Sequence, residues 1–501
     1  MGIVIRQSIK NSIVTYIGVC IGMLNVLFLY NKFLSTEQLG LYAALTSFSL
    51  VFSAFSNLGT SHVGIRFFNR FADAKNKHNG FLGYLLVAPF VGFMVFFGTY
   101  VISKDVFLML YRENSPLLVE YYWYFPAITF FLLYISILEV YCRVHLRIVV
   151  PAIIREIFLK VSNSCLALLF GFSFISFNQL ILGIILSYFI SVCFLFIYMK
   201  ILGILYLRFD FSFLRKPVFK EMWHYGFWTI IGGALAVALP HIEKLMLPAY
   251  KGGLNTTAIF SIALSIAMVI GIPRNAIVSI CDPLIAGSWN RKDTKYIEEM
   301  YKKSALILLL TGLFLFLLVW CNIDSVFDLI PKSEIYKEGK FVVLIVGLYS
   351  LFDMATGLNS EVLKNSPFYK YDFIFYIFRF ALLLVANIIL IPIYSYNGAA
   401  LAMLVSVVIY NLVKLFFIKK KLSMQPFNIN TFKVVAIGGL AYIAVVFLPD
   451  VYESKIMSAT SIALKSLIIT AIFLIGVFYF NISPELNSFK TTLIARLKKL
   501  R

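Results

Sequence analysis

Apolar residues fill this chain in long blocks, interrupted by short polar segments that carry most of its lysines and arginines. "IGVCIGMLNVLFLY" (17–30) and "LLYISILEV" (132–140) are representative. A helix needs roughly 17–25 largely apolar residues to cross a bilayer. Fourteen blocks serve, near 11–33, 39–64, 81–103, 117–142, 150–172, 178–200, 221–242, 255–283, 303–322, 341–363, 371–392, 396–418, 432–449 and 459–481. They predict an all-α polytopic membrane protein with about 14 transmembrane helices.

Composition agrees with the pattern. Of 501 residues 61% are hydrophobic and 14% are charged, against about 25% charged in soluble domains. A net charge of +20 suggests nucleic acid only until the charges are placed. With a cytoplasmic N-terminus, the loops and tails on the inner side hold 29 basic residues. These include Arg66, Arg70, Arg143, Arg147, Arg208, Arg291, "KKK" at 419–421 and the tail residues Lys490, Arg496, Lys498, Lys499 and Arg501. The outer loops hold nine. That asymmetry follows the positive-inside rule with both termini cytoplasmic. The basic balance reads as topology and contact with anionic lipid, with no nucleic-acid partner.

The basic N-terminus and its apolar run imitate a signal peptide, but the run continues to Phe33 without a small-residue cleavage site, so a retained first helix is expected. Six scattered cysteines form no Cys-x-x-Cys pair, which indicates neither a disulfide framework nor a metal site. No Gly-x-x-x-x-Gly-Lys-Ser/Thr loop and no His-Glu-x-x-His is present. No inter-block loop has room for a catalytic domain, so an enzyme is not expected and no cofactor is implied.

The blocks repeat. "ILEVYCRVHLRIVVPAIIREIFLKV" (137–161) parallels "NSEVLKNSPFYKYDFIFYIFRFALL" (359–383): Glu-Val, a basic loop with proline, then an arginine 16 or 18 residues after the glutamate. "LGLYAALTSFSLVFSAF" (39–55) likewise parallels "TTAIFSIALSIAMVIGI" (256–272). Two parallel six-helix lobes follow, 1–205 and 206–425, a plan that transporters use with the site between repeats. Residues 426–501 add two C-terminal helices and a basic tail.

"LSTEQLGLYAAL" after the first block, "SNLGTSHVGIRFF" at the end of the second and "IILIPIYSYNGAALAMLVSVV" (388–408) resemble Wzx-type polysaccharide flippases of the multidrug/oligosaccharidyl-lipid/polysaccharide (MOP) exporter superfamily. The resemblance covers essentially the whole chain. It implies a bacterial cytoplasmic-membrane protein that moves a polyprenyl pyrophosphate-linked oligosaccharide for O-antigen, capsule or exopolysaccharide assembly, beside a polysaccharide polymerase and a chain-length regulator. One departure is visible: many relatives carry aspartate before a basic residue at the outer end of span seven, where this chain has Glu243-Lys244.

Six basic residues remain inside the blocks: Arg155, Lys160, Arg274, Arg379, Lys414 and Lys465. A charge at mid-bilayer costs about 2.5–3.5 kcal/mol on the lenient insertion scale and marks a substrate path by default. Glu156 and Lys160 stand one helical turn apart, so mutual neutralisation is a rival account of that pair. Arg274 and Arg379 have no acid three or four residues away. A water-filled cavity lined by Arg155, Lys160, Arg274 and Arg379 is expected, its cations drawing a pyrophosphate. Glu156, Asp353, Glu361 and Asp282 are candidates for coupling a proton or sodium ion, and His241 and Glu243 for the outer mouth. A multidrug or metabolite cation antiporter, a peptidoglycan-precursor flippase and a membrane polysaccharide polymerase remain alternatives.

Overall fold

The computed structural model describes residues 2–73, 77–209, 211, 216–448 and 454–482. Helices account for its regular structure, with no strand among the described residues. The tail lysines and arginines beyond 482, with Lys75 and Arg215 of the inner loops, lie outside them. The chain divides into two compact units, Met1–Ser261 and Ile262–Arg501.

The first unit holds α1 (Gly2–Leu24), α2 (Thr36–Ser56), α3 (Thr60–Phe71), α4 (Phe81–Ile102), α5 (Tyr124–Val144), α6 (Val149–Ile153), α7 (Leu159–Gly171), α8 (Phe177–Ile201), α9 (Lys216–Ala238) and the start of α10 (Gly253–Ala267). Capping boxes start α2 and α8: Ser35 accepts from the Gln38 amide while the Gln38 side chain accepts from the Ser35 amide, and Ser176 and Gln179 repeat the exchange. Each box satisfies two donors that a helix start otherwise leaves open. Small residues allow close packing in lipid, where apolar burial gives no drive. A Cβ on Gly40 would lie 1.9 Å from the Leu254 carbonyl oxygen.

The second expected span is broken. Leu58 and Gly59 take positive φ (48° and 69°), ending α2 and starting α3. A Cβ on Gly59 would meet the Gly226 carbonyl oxygen at 2.4 Å, so α9 presses directly on the break. α3 is amphipathic: Val63, Phe67, Phe68 and Phe71 are buried, while Arg66 lies over the Tyr225 ring (4.2 Å) and Arg70 pairs with Glu221 (2.8 Å).

The second unit holds α11 (Ile272–Asn290), α12 (Thr294–Trp320), α13 (Lys340–Ala355), α14 (Asn359–Lys364), α15 (Tyr369–Leu422), α16 (Ile429–Val446) and α17 (Lys455–Tyr479). Tyr301, Met354, Val362, Ile437 and Phe473 belong to one buried cluster, which joins α16 and α17 to α12, α13 and α14. Lys465 of α17 is buried and reaches the Cys321 carbonyl (3.5 Å) just past the end of α12, where a cation is favoured. Its cost inside the block is thereby offset locally. Phe432, Phe447 and Ile456, more than two-thirds exposed, form lipid-facing surface.

Among the described residues ten helices are alone long and apolar enough to span, or eleven if one bent pair counts as a span. The expected fourteen is not reproduced on that measure for physical reasons. α15 runs through two expected spans, 371–392 and 396–418, turning at Ser395 (φ 52°, ψ −131°), while the 150–172 and 341–363 blocks are built from shorter helices. A Cβ on Gly398 would lie 2.1 Å from the Leu390 carbonyl oxygen. Gly398→Val is therefore expected to open the turn and cost about 1–3 kcal/mol of overpacking strain, read as a lower melting temperature and a smaller monodisperse fraction in detergent.

At the α5–α6 turn the His145 ring meets Tyr141 (4.7 Å) and Phe68 (4.8 Å) edge to face and lies tilted 5.3 Å from His78. The Asp73 amide donates to His78 Nδ1 (3.1 Å), and Tyr206 closes over the His78 ring. Burial, then the charges of His78 and Arg147, push His145 down to about 4 from its ordinary 6.5. The unfolded chain thus binds the extra proton first. The stability contribution is complete above pH 6.5 and is lost as pH falls toward 4. Melting temperature should fall across that window in the parent protein and fall less in His145→Gln.

Candidate functional site

In the first unit a π turn, Ile154–Phe158, joins α6 to α7 and carries Arg155 and Glu156. Such turns insert a residue into a helix and recur at functional sites. Arg155 Nη1 donates to Glu139 Oε2 of α5 (2.7 Å) and its Nε to Glu156 Oε1 (3.0 Å). Glu156 Oε2 accepts from Lys160 Nζ (2.8 Å), which also donates to the Gly18 carbonyl of α1 (3.0 Å). α1 can come this close because Gly18 and Gly22 offer no side chain: a Cβ on Gly18 would meet Glu156 at 2.7 Å. Asn25 completes the seam, donating to the Lys160 carbonyl (2.9 Å) and accepting from Ser164 (2.7 Å). Lys160 therefore clamps α1 to α7.

Two cavities flank Arg155. One, of about 280 Å³, is lined by polar residues that include Asn57, Ser61, His62, Ser136 and Thr229 and by apolar ones that include Leu50, Leu132, Ile135 and Val237. The other, of about 240 Å³, is lined by Asn11, Arg143, Ile148, Pro151 and Ala152. Glu139 and Arg155 line both. Lys160 lines neither. Asn57 organises the first cavity's polar lining: its amide nitrogen donates to Ser61 Oγ (2.9 Å) and Ser136 Oγ (3.4 Å), and its oxygen accepts from the Ser61 amide (2.9 Å).

In the second unit Arg274 of α11 lies between two carboxylates, Asp353 (3.1 Å) and Glu361 (3.8 Å). The absence of a nearby acid in sequence thus gives way to partners from α13 and α14. A break at Thr356–Leu358, with Gly357 at φ 66°, separates these two helices and turns Glu361 inward. Asn411 donates to Asp353 (3.0 Å) and accepts from Asn359 (2.7 Å). Arg379 donates to the Tyr349 hydroxyl (2.9 Å) with its guanidinium 5.1 Å from the Tyr410 ring. Lys414, fully buried, pairs with Asp372 and donates to Ser360 (2.7 Å) and Tyr410 (2.8 Å).

Arg155 and Lys160 are thus gathered in one cluster, Arg274 and Arg379 in another. Each cluster balances its own charges: Arg155 and Lys160 against Glu139 and Glu156, and Arg274, Arg379 and Lys414 against Asp353, Glu361 and Asp372. An anion entering the first has to take Arg155 or Lys160 from a carboxylate, whereas in the second Arg379 is held by tyrosines. Asp282 accepts from Lys364 and Asn365 (both 2.9 Å), tying α11 to the C-terminal end of α14. His241 Nδ1 lies 3.1 Å from Ser47 Oγ, and Glu243 beside it is fully buried rather than solvated.

Glu139, Asn57 and the Lys414–Asp372 pair were not among the expected site residues. The signal for Glu139 was present, since its 16-residue spacing to Arg155 spans an ion pair. The second copy departs: Glu361 turns to Arg274 and Arg379 to tyrosines. Extending the 39–55/256–272 repeat by two residues sets Asn57 against Arg274, so one position carries an amide in one unit and a guanidinium in the other.

The helical fold has counterparts among solved structures. The structure matches the "Lipid II flippase MurJ, inward closed conformation" with a TM-score of 0.69 at 15% identity, covering 93% of this chain and 98% of that one. It matches an inward-facing multidrug resistance MATE family transporter of the MOP superfamily at 0.64, also 15% identical, over 83% and 98%. The family is then given by sequence: the profile of the polysaccharide biosynthesis protein family matches residues 4–289, and the chain belongs to that family. The MatE profile matches 229–393. The uncharacterized membrane protein MJ1068 of Methanocaldococcus jannaschii is 22% identical over 277 residues, 54% of this chain and 50% of that protein, so the match spans half of that relative's length.

Proposed function

We propose that this multi-pass membrane protein is a flippase. It carries a polyprenyl pyrophosphate-linked oligosaccharide across the cytoplasmic membrane, for a surface polysaccharide such as O-antigen or capsule. Membership of the polysaccharide biosynthesis family carries the reading. The supporting chemistry is Arg155, half-exposed between two cavities, whose planar fork suits a phosphate. Alternating access lets the headgroup exchange one polar surrounding for another while the lipid tail stays in the bilayer. In the second unit Arg274 and Arg379 are the candidates for contacting the pyrophosphate. Glu361 and Asp353, which share Arg274, are candidates for coupling a proton or sodium ion. Both termini are cytoplasmic by the basic-residue asymmetry, and a polymerase and chain-length regulator act on the delivered unit.

A second reading, a lipid-linked peptidoglycan precursor as cargo, draws on the structural likeness to the lipid II flippase MurJ. One experiment separates them: extract the lipids of a deletion strain and identify polyprenyl pyrophosphate species by mass spectrometry. Completed oligosaccharide units should accumulate while surface polymer is lost. Accumulating peptidoglycan precursor selects the second reading, and an unchanged lipid pool overturns both.

A further inference from the structure

The two first-unit cavities have Glu139 and Arg155 as their common lining. We propose that this ion pair is a gate between them that an incoming diphosphate opens. The proposal deepens the flippase reading and rests on it for the identity of the anion.

The vestibule is the smaller cavity. Arg143 near the end of α5 and Arg155 just past α6 line it with Asn11 of α1, on the side that the basic-residue count assigns to the cytoplasm. The larger cavity lies beyond the pair. Its lining combines hydroxyl and amide groups with apolar side chains, which suits a sugar with polar edges and an apolar face. In the closed state Glu139 Oε2 holds Arg155 at 2.7 Å.

The pair is built to exchange partners. Glu139 is nearly buried and its Oε1 has no hydrogen-bond partner among the described residues, whereas the Arg155 side chain is 48% exposed. A diphosphate in the vestibule meets Arg143 and the accessible face of Arg155, and takes the guanidinium bidentately. Glu156 continues to hold Arg155 Nε at 3.0 Å, so the arginine pivots rather than leaving. Glu139 is then free to turn toward the larger cavity, where a sugar hydroxyl can donate to its carboxylate. Glu139 thereby becomes a residue that senses the anion and selects the sugar.

The test follows the thiol of Ser61→Cys, on the far side of the pair, in protein held in lipid nanodiscs. Its modification by N-ethylmaleimide is timed by peptide mass spectrometry at constant pH and ionic strength, with inorganic pyrophosphate, with polyprenyl pyrophosphate in the disc, or with sulfate. Pyrophosphate in either form should speed labelling several-fold over sulfate. An effect of the polyprenyl form alone assigns the gate to a lipid headgroup. Adding Glu139→Gln should make labelling fast and indifferent to pyrophosphate, and adding Arg143→Gln should remove the pyrophosphate effect. Where Glu139→Gln fails to fold, Glu139→Asp, one methylene shorter, carries the same expectation of fast labelling. Unchanged or slowed labelling with both forms of pyrophosphate, or slow labelling in the Glu139 variant, overturns the gate. Fast, pyrophosphate-dependent labelling beside an unchanged lipid pool in the deletion strain keeps the gate and overturns the cargo.

Discussion

Arg155→Lys is expected to leave a folded, inserted protein that has lost transport by about tenfold or more, equivalent to roughly 1.4 kcal/mol or more. Charge is conserved, so Glu139 and Glu156 are not stranded together. What disappears is the planar fork that reaches Glu139 with Nη1 and Glu156 with Nε at once. An ammonium presents a point charge that cannot keep Glu156 while binding a diphosphate in bidentate fashion. Arg155→Ala is the poorer test, because it leaves two largely buried carboxylates facing each other. Arg155→Ala with Glu139→Ala should recover stability without recovering transport, a coupling that a double-mutant cycle measures. The measurements are lipid-linked intermediate levels in complemented deletion cells and melting temperature in detergent. Full transport by Arg155→Lys overturns the assigned role.

Lys414→Met carries the largest expected stability effect. Lys414 is fully buried, and its ammonium serves Asp372, Ser360 and Tyr410. A methionine fills similar volume but strands Asp372, and breaking a buried pair on one side costs about 3–5 kcal/mol. Little folded protein should be recovered. Lys414→Met with Asp372→Asn removes both charges and should restore much of the loss, because replacing a whole buried pair is often neutral. Recovery of Lys414→Met at parental yield and melting temperature would show that the pair adds nothing to the fold.

These two residues also show how far the sequence could be read. Lys414 stood out only as a cation inside an apolar block, and nothing local named Asp372, 42 positions earlier on the same two-span helix. Arg274 looked unpaired for the same reason: its carboxylates, Asp353 and Glu361, arrive from helices that the chain reaches after another span. Glu156 and Lys160, by contrast, were legible as a pair because one helical turn joins them. Their link to Gly18 on α1 was not.

The sequence by itself determined the class: apolar blocks of spanning length force helices, since the backbone in lipid must bond within its own segment. The boundary between the 371–392 and 396–418 blocks was also local enough to read, and the chain turns there at Ser395. Tertiary structure alone decided where helices break, as at Leu58–Gly59 against α9 and at Thr356–Leu358. It alone decided which carboxylates, tyrosines and carbonyls meet the cations inside the blocks, and that Glu139 and Arg155 stand between two cavities. A helical repeat fixes which residues share a face. Which face meets which neighbour is set by packing among residues far apart in the chain, and in lipid, where apolar burial gives no preference, the small and polar positions make that choice.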